Sequence, residues 1–175
     1  MMRFTLGALS TLIAVGTLAF SYAGDMMFQT RLSPYDFDTT VNYIQYSSTS
    51  YGWVSSGVGN VSGGIKRDRP SWEGPRVKNV KYCSSLYSHQ VIEVDPRLAN
   101  LMPCKATVWE CGDSVCVTTM RAGVVGVLFG VGDIMKGVTS NVEAFLDWEK
   151  YDVDDIPQAA TGTRGKSSDN SDVGC

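Results

Sequence analysis

Histidine is almost missing from this chain: 175 residues contain one, His89. No CxxC occurs among the five cysteines, and no CxxCH, GxSxG, GxGxxG, P-loop or HExxH is found either. Each gap removes a class of function. Structural zinc sites pair donors two to four residues apart and need four of them. Thioredoxin-like chemistry needs a CxxC at a helix N-terminus, where the dipole lowers a thiol pKa. Covalent haem attachment needs CxxCH. A serine or cysteine nucleophile would have to use His89 as its base, and nothing around His89 points to such a pair. No run of lysine or arginine is present, and the formal charge is −3. Nucleic-acid binders need a basic stripe to displace counterions, so that class is excluded as well.

What is present is an export signal and an ordinary core. The first 24 residues carry a single charge, Arg3. An apolar or small-residue stretch follows from Phe4 to Phe20, then Ser21-Tyr22-Ala23, an A-x-A-like cleavage site. Residues 1–23 are read as a signal peptide cleaved after Ala23, with a retained membrane anchor as the alternative. Either way the rest is expected in the periplasm or anchored facing it, where disulfides persist. Residues 24–156 are read as one domain. Residues 157–175 are polar and read as a disordered tail.

Along the chain, residues 26–33 alternate as a first strand. Ser33 with Pro34 and Asp36 offers a helix start, and Phe37, Val41 and Ile44 recur at helical spacing. Gly52 to Gly64 reads as a bulged strand or hairpin, and residues 65–76 as a loop broken by Pro70 and Pro75. Residues 76–85 alternate as a strand. Ser84 or Ser85 caps a helix carrying Val91, Ile92 and Val94, which continues past Asp95-Pro96 to Leu98, Leu101 and Met102. Two β-rich runs then flank Gly112-Asp113-Ser114 as a hairpin. The apolar stretch from Arg121 to Lys136 is too short to span a bilayer, and its Gly126-x-x-x-Gly130 allows close helix packing. Ser140 and Glu143 read as a capping box for a last helix. Antiparallel strands with helices on one face make this an α+β fold.

The candidate functional residues are Cys104, Cys83 and His89. Cys111 and Cys116 face each other if the hairpin loop runs from Gly112 to Val115; a two-residue Gly112-Asp113 loop pairs Cys111 with Ser114 and argues against a bridge. Cys83 and Cys104 can be bridged if their strands are neighbours, closing a loop of about 20 residues for roughly 3 kcal/mol. That leaves Cys175 over. The functional alternatives are a reactive Cys104, working with Cys83 or His89, and a non-covalent haem on His89 with Met102 or Met120. The acidic set Asp147, Glu149, Asp152, Asp154 and Asp155 reads as a solvated helix end.

The segment from Tyr82-Cys83-Ser84 through Asp95-Pro96, Met102-Pro103-Cys104, Val108-Trp109-Glu110 and Gly112-Asp113 resembles the bacterial and archaeal domain family of unknown function number 302. The glycine-rich stretch after the hairpin resembles one branch of it, and the likeness extends over about residues 26–150. The resemblance implies a TATA-binding-protein-like α+β fold, an antiparallel sheet with helices on one face in the order β-α-β4-α, often dimeric, with no established enzyme activity. Cys111 and Cys116 around the turn and a tail ending in Cys175 depart from the family pattern. The expectation is an exported, non-catalytic binding or accessory module with no cofactor. Its partners would be a second copy or the subunits of a membrane complex, with membrane contact through residues 4–23. The rivals are a small thiol-based redox or ligand-processing protein and a structural subunit held by an uncleaved N-terminal helix.

Overall fold

The computed structural model describes residues 24–157. The proposed signal or anchor, and nearly all of the proposed tail including Cys175, lie outside them. Five strands form one antiparallel sheet in the order β1-β5-β4-β3-β2: β1 Phe28–Ser33, β2 Val54–Asn60, β3 Val77–Cys83, β4 Cys104–Cys111 and β5 Ser114–Met120. Five helices connect and cover them: α1 Phe37–Ser50, α2 Val61–Asp68, α3 Ser85–Val94, α4 Ala122–Leu128 and α5 Gly132–Phe145. A 3-10 turn, Pro96–Leu101, follows α3. The α+β architecture stands, with α2 and α3 inserted between successive strands.

Period-two alternation decides what each sheet face meets. Val80 and Tyr82 of β3, Ala106 and Val108 of β4 and Val117 of β5 point to the helices and are essentially fully buried. Phe37, Val41 and Ile44 of α1 meet them, as do Val138, Val142 and Phe145 of α5. Their three- and four-residue spacing gives each helix one apolar stripe. The opposite sheet face carries Asn79 and Thr107, joined at 2.9 Å, and Trp109, which donates to Thr118.

Several local expectations are corrected. Asp36, not Ser33, caps α1, accepting from the backbone N–H groups of Asp38 and Thr39. The shorter Ser33 side chain instead closes a turn onto Tyr35 N–H and bonds the Thr40 hydroxyl. Val61 to Asp68, expected as strand and loop, is helix α2; Asn60 accepts from Gly63 N–H and so satisfies one orphan donor at its start. Ser140 and Glu143 cap nothing, because α5 already starts at Gly132 and runs through both. The apolar stretch from Arg121 to Lys136 folds as α4 and the first part of α5. Gly126 permits that packing: a Cβ there would sit 2.6 Å from the Met135 side chain. No helix among the described residues is long and apolar enough to cross a membrane.

Candidate functional site

Two of the candidate residues, Cys83 and Cys104, lie at the end of the sheet where β3 stops and β4 starts. There α3, α4 and α5 close over a cavity of about 40 Å³. One buried water needs about 10–15 Å³ by this kind of measure, so the space holds an ion or a ligand of a few atoms. Cys83, Met102, Cys104 and Met120 line it from the sheet end; Tyr87, Ser88 and Val91 line it from α3; Val125 and Met135 come from α4 and α5. No charged residue lines it.

Local structure places each of these groups. Ser84, Tyr87, Ser88 and Val91 recur every three or four residues, so one face of α3 turns onto the cavity. Ser88 Oγ lies 3.3 Å from Cys83 Sγ. Tyr87 accepts a hydrogen bond from Asn141 Nδ2 at 2.9 Å, which ties α3 to α5. The Met102–Pro103 peptide is cis and leads from the 3-10 turn into β4. Cys104 then stands opposite Tyr82 in the β3–β4 ladder.

Cys104 carries a free thiol. Burial pushes that thiol up to about 11. Desolvation penalises the thiolate, the form that attacks disulfides and carbonyls. The arrangement therefore protects a neutral thiol instead of activating one.

The other candidates separate. Cys83 is disulfide-bonded, but not to Cys104; the Cys83–Cys104 bridge is corrected, although their strands are neighbours as that reading required. His89 is on the outer side of α3, 70% exposed, and sits 3.3 Å from Glu93 one turn on. It does not join Cys104, Met102 or Met120, and a cavity this small does not admit a porphyrin. Ile92 and Val94, expected as core contacts of α3, are exposed. Cys111 and Cys116 are bridged, with Cα atoms 5.9 Å apart. The hairpin turn is nevertheless the two-residue one, with Cys111 opposite Ser114 and Cys116 opposite Trp109. The bridge is a diagonal on the sheet face away from the helices, within reach of same-face neighbours two residues apart. Directly opposed positions alone do not disclose such a bridge. Gly112, at φ +67°, makes the tight turn accessible.

The site also uses Trp53, Tyr87, Val125 and Met135, which no sequence motif singles out. Their only signal was helical or strand periodicity, which marks burial and not a void.

Residues 29–147 match the family model described as domain of unknown function DUF302. The chain belongs to this family. A solved family structure, described as an uncharacterized conserved protein DUF302 from Bacillus stearothermophilus, superposes with a TM-score of 0.65 at 13% identity, covering 70% of this chain and 98% of that one. At that identity the likeness concerns the fold alone. No curated protein matches the chain. The DUF302 match spans all of the cavity-lining elements, from β2 to α5.

Proposed function

We propose that this DUF302 protein is an exported, non-catalytic binding module whose ligand occupies the cavity beneath α3. The observation that carries the reading is the small, uncharged cavity beside a thiol that burial keeps protonated. A cavity with few polar groups, tucked between elements, is where small ligands are held. The export reading rests on Arg3, the Phe4–Phe20 stretch and the Ala23 site.

Two measurements test it. Native mass spectrometry on protein isolated from its source should find a small non-protein mass. Ala122→Val, which adds two methyl groups to the cavity wall, should displace it while the fold is retained. A bare chain in both proteins would remove the reading. Separately, peptide mapping after alkylation at pH 8 should find Cys104 unmodified until denaturant is added. Rapid modification of native Cys104 would favour the thiol-based rival.

One observation supports a second reading, a subunit held at a membrane. Val127, Leu128 and Phe129 at the α4–α5 turn are 78%, 67% and 51% exposed, a run of three large apolar residues. The start of α4 is tied to the residue just before β1: Arg121 N–H donates to Met27 O at 2.8 Å. N-terminal sequencing decides this reading, because a mature chain beginning at Gly24 has no anchor.

A further inference from the structure

Seven methionines occur in the chain, and four of them precede Phe28. The other three, Met102, Met120 and Met135, all line the same cavity, together with the free thiol of Cys104. They come from separate parts of the fold: the end of the 3-10 turn, the end of β5 and the first half of α5. Methionine in a core normally adapts to fill irregular gaps. Here three of them surround a gap that stays open.

We propose that the cavity binds one monovalent soft metal ion, Cu(I), through thioether sulfurs of Met102, Met120 and Met135 with Cys104 beside them. The proposal rests on the reading of this cavity as the ligand site. Thioether and thiol donors select Cu(I) over hard cations, which want oxygen. The wall offers no carboxylate and no imidazole. A divalent ion there would bring twice the charge into a wall with no carboxylate, and so a far steeper solvation cost than a monovalent one. The volume suits an ion and excludes large cofactors. Methionine side chains also have the rotatable bonds needed to turn sulfur towards a guest.

The test titrates the full, oxidised chain with Cu(I) under anaerobic conditions, in competition with bathocuproine disulfonate. One equivalent should leave the chelator, and X-ray absorption should show a first shell of sulfur only. Met102→Leu, Met120→Leu and Met135→Leu conserve volume, so circular dichroism should be unchanged while each weakens Cu(I) at least tenfold. His89→Ala, on the exposed outer side of α3, should bind as the parent does. No transfer from the chelator, or equal affinity in the triple methionine variant, overturns the proposal. If Cu(I) fails while Ala122→Val still displaces a co-isolated mass, only the metal assignment falls. If both fail, the binding-module reading falls with it.

Discussion

The space between sheet and helices is filled in two different ways. At one end, Phe145 packs edge-on against Tyr82, with ring centroids 4.8 Å apart, and is also in ring contact with Trp53 and Tyr51. Beside it, Tyr35, Tyr43 and Trp148 form a second stack. The polar ends of these rings find partners. Tyr43 donates to the Asp147 carbonyl and Tyr35 to the Trp148 carbonyl, which anchors the chain just after α5. At the other end, apart from Tyr87 and from Trp53, which the two regions share, sulfur, serine and aliphatic side chains surround a void. Rigid rings with satisfied hydroxyls specify one packing; flexible thioethers around a void do not. The aromatic end is thus suited to carry stability, and the sulfur end to accept a guest.

Removing a ring should expose this contrast most strongly. Phe145 is 0% exposed, and Phe145→Ala should cost about 3–5 kcal/mol in chemical denaturation through lost burial and a new cavity. Met120→Leu at the other end should cost less than about 1.5 kcal/mol. Equal losses would break the distinction.

The next effect is a dependence on alkaline pH. A Cys thiol in an unfolded chain titrates near 8.5, whereas folded Cys104 is held up to about 11 by burial. Between those values the unfolded chain has lost the proton and the folded one keeps it. Stability from this group is complete below about pH 8 and is lost as pH rises towards 11, on the order of 3 kcal/mol in all. Tyr43, pushed up to about 12 by burial, adds its own loss above pH 10. The thiol is therefore read as the difference between the parent and Cys104→Ala, with denaturation midpoints followed from pH 7 to 10. A variant with the parent's full slope would show that the thiol is not desolvated in solution.

How far the sequence discloses these two ends differs for physical reasons. The stripe Phe37, Val41, Ile44, the β4–β5 hairpin and the family resemblance all rest on local periodicity or motif, and each is found in the fold. The aromatic stack is less legible, since Trp148 lies more than a hundred residues from Tyr35 and Tyr43 and meets them only through α1 and α5 packing. The cavity was half legible. Cys104, Met102 and Met120 stood out as chemically distinctive residues, but the sequence joined them to His89, and one-face geometry on α3 sends His89 outward. A void has no sequence signature, because a side chain lining one shows the same periodicity as a side chain filling one. The Cys111–Cys116 bridge depends on a diagonal contact that register alone does not reveal.

The smallest effect lies outside both ends and calibrates them. Asp38 accepts from Lys78 Nζ at 2.8 Å and from Arg76 Nη2 at 2.7 Å, and these contacts hold its carboxyl below the usual carboxylate range. The group is exposed, so water and salt screen the pairing. A lowered folded pKa means the contribution is present above the ordinary value near 4 and is lost as pH falls below it. Asp38→Asn should cost under about 1 kcal/mol at pH 7 in low salt. That cost should shrink in molar salt and vanish in acid. The Phe145→Ala loss, which is apolar burial, should persist under both conditions. If the Asp38 cost instead survives high salt, the network also orders the start of α1 by geometry: Arg76 stacks 4.1 Å over the Phe37 ring, and that contact does not need the carboxylate's charge.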